Sequence, residues 1–206
     1  MSDIALEPHS FSALLLAGGR SRRMGQDKAF MMWQGQPLWE FQLQKLLNLG
    51  ASRVLIACRK EQAIRHDRAE FVFDALGEDS GPMPGIARAL DVLKQPTLVL
   101  AVDMPLMTSD FLKQRLLTSR HDGISRFLKS EHGLEPLAGL YDPHLLPELK
   151  LALTEERLSL SRLARLAHQE GKAEVIEVTD IEQAFFRNFN TLADWDHEKG
   201  MSCDMP

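Results

Sequence analysis

The sequence has 206 residues, of which 44% are hydrophobic and 26% are charged, and its formal net charge is −5. This composition is typical of a globular protein of one large domain or two small ones, and the acidic balance excludes a general affinity for nucleic acid. No apolar run approaches the ~20 residues that a transmembrane helix requires, so no membrane association is expected. The two cysteines lie far apart and the first ten residues lack a secretory signal, which favours a cytoplasmic protein.

Apolar runs alternate with amphipathic segments through about the first half of the chain. The runs predict strands at residues 11–17, 29–33, 54–58, 70–73 and 97–102. Helices are predicted to begin at Pro37, at Pro82 or Pro84, and at Thr108 or Ser109. Because strands and helices alternate, the sheet should be mostly parallel, with right-handed crossovers.

The second half is less regular. It predicts strands at residues 123–129, 137–141 and 173–178, and helices near 144–153, 160–168 and 191–196. The expected fold class is α/β: a Rossmann-like, three-layer α/β/α sandwich around a mostly parallel sheet. We expect a single domain over residues 11–196, with a flexible start at 1–10 and a disordered tail at 197–206. Pattern alone leaves the strand order open.

The segment LLLAGGRSRRMGQDK, at residues 14–28, carries the first functional signal. Gly18 and Gly19 follow a strand and have no Cβ, so backbone N–H groups can approach a bulky anion there. Arg20, Arg22, Arg23 and Lys28 bring several positive charges to the same loop, which points to a polyphosphate. The segment is neither a P-loop nor a G-x-G-x-x-G fingerprint. The alternative is a glycine turn with a solvated basic face.

A second signal lies at residues 73–90, FDALGEDSGPMPGIARAL. Asp74 ends a predicted strand, and Gly81 and Gly85 could leave room for a nucleoside over the following helix. Asp74 could equally be a turn or N-cap residue, and Gly81 could simply precede a helix start at Pro82.

The third signal is Asp103 in LVLAVDMPLM, at residues 98–107. Pro105 has no N–H and disfavours helical geometry at Met104, so the strand should stop with the Asp103 carboxylate at the rim of the sheet. A carboxylate beside phosphates is repelled unless a divalent cation lies between them. Mg²⁺ takes one or two carboxylates and suits this position, which makes Asp103 a candidate metal ligand.

The fourth signal is FRNFNTLADW, at residues 186–195. Asn188 and Asn190 flank Phe189, and Thr191 could cap a helix with Asp194 three residues later. An asparagine near a phosphate site could also bind the second substrate or a water on the metal. The two interpretations are compatible.

Together these segments resemble the molybdenum cofactor guanylyltransferase family, within the sugar-nucleotide-transferase-like nucleotidyltransferases. Residues 16–19, 23–25 and 27–28 agree with the signature L-A-G-G-x-x-x-R-M-G-x-D-K. Three features narrow the resemblance to the cofactor branch: an aspartate separated from Gly-Pro by six residues, the Asp-Met-Pro at 103–105 and the Asn-Phe-Asn-Thr at 188–191. GLEPLAGLY at 133–141 is similar to a Pro-x-x-x-Leu-Tyr segment of that family.

The resemblance implies an enzyme that transfers GMP from GTP to the phosphate of molybdenum-molybdopterin, with Mg²⁺ as cofactor and pyrophosphate as product. It implies that Lys28, with Arg23, contacts phosphates, that Asp103 holds Mg²⁺ and that Asn188 and Asn190 face the pterin. The implied nucleotide-binding residues are Leu16, Ala17, Gly18, Gly19, Lys28, Asp74, Gly81, Gly85 and Asp103. Transient contact with proteins that supply or receive the cofactor is also implied, and the oligomeric state stays open.

Two positions depart from the family pattern. Cys58 replaces an asparagine that helps bind the nucleotide, which weakens the choice of GTP, and Val102 replaces a cysteine in a buried strand. The alternatives are a cytidylyltransferase on the same cofactor, a sugar-phosphate nucleotidyltransferase, and a nucleotide or pterin carrier without chemistry. A further alternative is an inactive interaction protein that presents its helices at 144–168 to a partner.

Overall fold

The computed structural model describes residues 10–18, 27–73, 81–117 and 123–187. The strands of the main sheet are β1 Ser12–Leu16, β4 Val54–Cys58, β5 Glu70–Phe73, β6 Thr97–Ala101, β7 Ser125–Ser130, β8 Gly133–Tyr141 and β9 Ala173–Glu177. Two short strands, β2 Met32–Trp33 and β3 Gln36–Pro37, pair with each other. The helices are α1 Leu38–Asn48, α2 Met83–Leu93, α3 Ser109–Leu116, α4 Leu146–Thr154 and α5 Leu160–Gln169.

The seven-stranded sheet has the order β5-β4-β1-β6-β8-β7-β9. Strands β5, β4, β1 and β6 are parallel, and β7 is parallel to β9. Strand β8 runs antiparallel to both of its neighbours, β6 and β7. The expected mostly parallel α/β sheet is therefore confirmed.

Helices cover both faces of this sheet. One apolar cluster joins alternate residues of the central strands to α1 and α3, and a second cluster joins the other residues to α2, α4 and α5. Strand β1 shows the principle, because Ala13 and Leu15 belong to the first cluster while Leu14 and Leu16 belong to the second. A strand that is buried on both faces reads as a continuous apolar run, which is why the sequence predicted it.

The strand order reverses direction next to β1. The chain passes from β1 outward through β4 to β5, and then returns through α2 to β6 on the other side of β1. In open α/β sheets ligands bind outside the carboxyl ends of the strands at such a switch point. The crevice at the ends of β1 and β6 is therefore where a ligand is expected.

Most predicted elements are confirmed with small differences at their ends. Strands β4 and β5 have the predicted bounds, and Thr108 caps α3 by accepting a hydrogen bond from the N–H of Phe111. The predicted strand at 29–33 is confirmed only at its end, as β2, because a 3₁₀ turn at Lys28–Phe30 replaces its first part. The Asp27 side chain caps that turn by accepting from the N–H of Ala29, which turns the chain away from an extended path.

Some predictions lie outside the described residues: the flexible start, the helix at 191–196 and the tail at 197–206. Within the described part of the chain, none of the helices is long and apolar enough to cross a membrane.

Candidate functional site

The carboxyl ends of four parallel strands meet at one edge of the sheet. Leu16 of β1 pairs with Ala57 of β4 on one side and with Ala101 of β6 on the other. Cys58, the last residue of β4, pairs with Phe73, the last residue of β5. The residues that follow these strands, among them Gly18 and Asp103, therefore lie along the same rim. The rim includes the switch point between β1 and β6.

Lys28 and Asp103 are brought together at this rim. Lys28 Nζ donates to Asp103 Oδ2 over 3.2 Å, and the side chains are 17% and 27% exposed. The two residues are 75 positions apart in the sequence, so the contact depends on the whole fold. The carboxylate is neither sealed within the core nor fully solvated, and it stays open to a ligand that enters the crevice.

Residues 16–18 use their backbone groups within the protein. The N–H groups of Ala17 and Gly18 both donate to the carbonyl of Ala57 at 2.9 Å, and the carbonyl of Leu16 accepts from the N–H of Val102 at 3.0 Å. In this conformation the amide of Gly18 is already occupied. We therefore expect Gly18 to let a nucleotide come close to the backbone, because it has no side chain, and not to donate its N–H to a phosphate.

A polar network that sequence reasoning did not assign lies beside this loop. Gln62 Nε2 donates to the carbonyl of Ala17 at 2.8 Å and to Asp27 Oδ2 at 3.0 Å, while Gln62 Oε1 accepts from the N–H of Arg59 at 2.7 Å. The Arg59 guanidinium also donates to Asp27 Oδ2 at 2.6 Å. Asp27 immediately precedes Lys28, so the network reaches the lysine through one peptide bond.

Helix α1 holds the turn that carries Asp103 from the other side. Gln42 Nε2 donates to the carbonyls of Ala101 and Val102 at 3.2 and 3.3 Å, and Lys45 Nζ donates to the carbonyl of Pro105 at 3.1 Å. Lys45 is only 8% exposed, and this burial lowers its pKa to about 7. These two buried polar side chains fix the chain before and after Asp103.

The second predicted segment is described only from Gly81 onward. Gly81 has a φ of +64°, Pro82 is the N-cap of α2, and Gly85 is buried in its first turn. Since α2 connects two parallel strands, β5 and β6, it starts at the carboxyl edge of the sheet. The other predicted site residues, Gly19, Arg23, Asp74, Asn188 and Asn190, lie outside the described residues.

Cys58 lies at the end of β4 with 1% of its surface exposed, within the apolar cluster that packs against α1 and α3. The side chain belongs to this apolar cluster. It therefore presents no hydrogen-bonding amide to the crevice, where the family pattern has an asparagine.

The donor chemistry of the rim limits which metal it can hold. Among the residues that the structure describes, no three His, Cys, Asp or Glu side chains gather into a preformed metal site. A cation that keeps most of its waters and also takes ligands from a substrate needs only one or two carboxylates. The partly exposed Asp103 fits a cation of that kind.

Two kinds of comparison with known sequences give a consistent result. Residues 13–175 match the model of the MobA-like NTP transferase domain. The chain is 30% identical over 194 residues to a probable molybdenum cofactor guanylyltransferase from Opitutus terrae, which covers 92% of this chain and 95% of the relative. It is 32% identical over 189 residues to the molybdenum cofactor guanylyltransferase of Xanthomonas euvesicatoria, with 90% and 92% covered.

Solved structures have the same architecture. The molybdopterin-guanine dinucleotide biosynthesis protein A from Archaeoglobus fulgidus superimposes with a TM-score of 0.74 at 26% identity. The alignment covers 94% of this chain and 100% of that chain. The likeness therefore spans both the parallel half of the sheet and the half that contains β8.

Proposed function

The chain belongs to the MobA-like NTP transferase family, and on that premise we propose that it transfers the guanylyl group of GTP to the molybdenum cofactor. A terminal phosphate oxygen of the cofactor attacks the α-phosphorus of GTP, a new P–O bond forms, and the bond to the β-phosphate breaks. Pyrophosphate leaves with that electron pair. The observation that carries the proposal is the Lys28–Asp103 contact of 3.2 Å at the switch point of a parallel sheet.

The reaction needs positioning and charge neutralisation rather than a protein nucleophile. Lys28 supplies a fixed positive charge for the phosphates, and Arg23 is proposed to assist it. Gly18 lets the nucleotide approach the end of β1 without meeting a side chain. A phosphate monoester dianion is nucleophilic at neutral pH, so no general base is assigned.

Asp103 is proposed to hold Mg²⁺ together with phosphate oxygens and water. The single partly exposed carboxylate supports this, because Mg²⁺ sites of phosphoryl-transfer enzymes typically use few protein ligands. When bound, the ion supplies charge neutralisation and polarises the phosphoryl group. The contribution of the chain is to hold Asp103 by the buried hydrogen bonds from Gln42 and Lys45 to its neighbours.

The remaining assignments rest on the resemblance and on placement. Asp74, Gly81 and Gly85 are proposed to receive the nucleoside near the start of α2, and Asn188 and Asn190 to face the pterin. Gly19, like Gly18, is proposed to let the nucleotide come close to the backbone because it has no side chain. A cytoplasmic location and transient contact with proteins that supply or receive the cofactor belong to the same proposal.

Cys58 favours one second candidate, a cytidylyltransferase that acts on the same cofactor. The buried thiol supplies no amide at the position where the family pattern has asparagine, so base recognition must come from other groups. The names of the curated relatives support GTP.

A donor screen tests the proposal. Pyrophosphate release is measured with GTP, CTP, ATP and UTP in turn, each with molybdenum-molybdopterin and Mg²⁺. We expect release with GTP and little with the others. Preference for CTP would select the second candidate, and nucleotide binding without pyrophosphate release would indicate a carrier.

A further inference from the structure

Gln62 contacts both Ala17 and Asp27, the residues at the two ends of the glycine- and arginine-rich loop after β1. Its side chain is nearly buried, at 7% exposure, in a 3₁₀ turn at Lys60–Gln62 that follows β4. The donor end of its amide faces two oxygens, the carbonyl of Ala17 and the carboxylate of Asp27. Its acceptor end faces the N–H of Arg59. Both N–H donors of this amide and one of its two acceptor lone pairs are therefore used by the described residues around the loop.

The contacts of Gln62 join three segments that are distant in sequence. Ala17 follows β1, Asp27 precedes Lys28, and Gln62 itself belongs to the chain after β4. The separations are 45 and 35 residues, so a local turn cannot replace these hydrogen bonds. A single side chain thus sets the distance between the end of β1 and the residue before Lys28.

Asp27 transmits this constraint to Lys28. Its Oδ1 accepts from the N–H of Ala29 and caps the 3₁₀ turn Lys28–Phe30, while its Oδ2 accepts from Gln62 and Arg59. A carboxylate with both oxygens engaged cannot rotate without breaking one of these bonds. The backbone of Lys28 is therefore held on both sides, which leaves mainly its side-chain rotamers free to place Nζ.

We infer that Gln62 is a positioning residue for the transferase reaction: through Asp27 it places Lys28 opposite Asp103 for contact with the nucleotide phosphates. This rests on the proposed function, in which Lys28 contacts those phosphates. Gln62 itself touches no reacting atom. It contributes by holding Lys28 in place before the nucleotide binds, so that binding does not have to order the lysine.

Gln62→Met tests the inference, because methionine keeps the length and apolar bulk of the side chain but loses both hydrogen-bonding ends. We expect the dissociation constant for Mg·GTP, measured by titration calorimetry, to rise on the order of 10-fold, with a comparable fall in kcat/KM. Gln44→Met on the exposed face of α1 is the matched control and should leave both values unchanged. If Gln62→Met lowered only the melting temperature and bound GTP like the parent protein, the role would be merely structural and the inference wrong.

A double-mutant cycle shows whether Gln62 acts through Lys28. In the Lys28→Ala background, Gln62→Met should weaken GTP binding little further, since the group that it positions is gone. Additive losses would overturn the inference. Asp27→Asn provides a second route, because it keeps the cap on Ala29 while disturbing the acceptor of Gln62 and Arg59, and it should reproduce the Gln62→Met phenotype. The proposed function fails separately, if the parent protein releases no pyrophosphate from any nucleotide.

Discussion

Lys28 Nζ lies 3.2 Å from Asp103 Oδ2, and this ion pair joins the loop after β1 to the turn after β6. Lys28 and Asp103 are both only partly exposed, so each charge compensates part of the cost of desolvating the other. A polyphosphate with its cation offers new partners to both groups at once, since the ammonium can bind phosphate oxygens and the carboxylate can bind the cation. The binding of a nucleotide with its cation should therefore change the charge balance between these two side chains.

Replacing Lys28 with alanine should lower turnover by on the order of 10²–10³-fold, the scale for loss of one preorganised charge-stabilising group. The reason is that negative charge on the phosphates then develops without its fixed counter-ion, and Asp103 is left without the lysine. Steady-state pyrophosphate release at saturating GTP and cofactor measures the effect. Lys113→Ala, at an exposed position of α3, is the control and should behave like the parent protein. A Lys28→Ala variant with a near-parental rate would remove Lys28 from the proposed chemistry.

Asp103→Asn should abolish the Mg²⁺-dependent part of the activity while the fold is retained. Asparagine has nearly the same shape but no negative charge, so it loses most of its attraction for a divalent cation. Pyrophosphate release as a function of Mg²⁺ concentration measures the loss, and far-ultraviolet circular dichroism checks the fold. Asp67→Asn, at an exposed position in the turn before the amino end of β5, is the matched control. An unchanged Mg²⁺ dependence in Asp103→Asn would exclude this carboxylate as a ligand.

The buried ammonium of Lys45 should make stability depend on pH. Burial lowers the pKa of Lys45 from 10.5 to about 7. Between these values the unfolded chain binds the proton and the folded protein does not, so the free energy of unfolding should rise with pH, by at most about 1.4 kcal/mol per pH unit. Below pH 7 both states are protonated and the cost of burying the charge is fully present.

Lys45→Met isolates this contribution, because methionine fills the same space without a titrating group. Urea unfolding of both proteins at pH 7, 8 and 9 should show that any stability advantage of the variant shrinks as the pH rises. The interactions of Lys45 with the carbonyl of Pro105 and, at 4.9 Å, with the ring of Phe41 oppose part of the cost of burial. A difference that stays constant across these pH values would contradict the lowered pKa.

Apolar patterning predicted the strands well because each central strand is buried on both faces. Strand β4, which is buried at all five positions, needed only its apolar run, and α3 needed only the capping residue Thr108. The antiparallel placement of β8 beside β6 could not be predicted, since that pairing joins residues such as Val99 and Gly139 that are far apart in the chain. The same holds for the switch point, which depends on strand order rather than on any local pattern.

The residues of the candidate site also fall into those that the sequence indicated and those that it did not. Glycines and charges in the loop after β1 marked Lys28, and the Met-Pro after Asp103 marked the end of β6. Gln62 was missed because a glutamine in a polar stretch is not distinctive, and its partners come from two other segments. Gln42 and Lys45 left a detectable signal, since they are polar residues among the buried positions of α1, where apolar residues are expected.

Tyr141 gives a last prediction, on stability rather than activity. It is buried in the core, its hydroxyl donates to the carbonyl of Pro136 at 2.8 Å, and its ring meets that of Phe127 edge to face. Within the Pro-x-x-x-Leu-Tyr segment of β8, the last residue therefore bonds to the first through this hydroxyl. Tyr141→Phe keeps the ring but leaves the Pro136 carbonyl without this donor, and should cost about 1 kcal/mol.

For a chain of this size, that loss corresponds to a melting temperature roughly 2–4 °C lower in calorimetry. The Michaelis constants for GTP and cofactor, and kcat, should equal those of the parent protein, because a hydroxyl sealed in the core cannot reach a substrate. A fall in kcat/KM at unchanged stability would instead place Tyr141 in the substrate site and contradict its assignment to the core. Phe127→Leu, which removes the ring partner but keeps the hydroxyl bond, separates packing from hydrogen bonding in the same experiment.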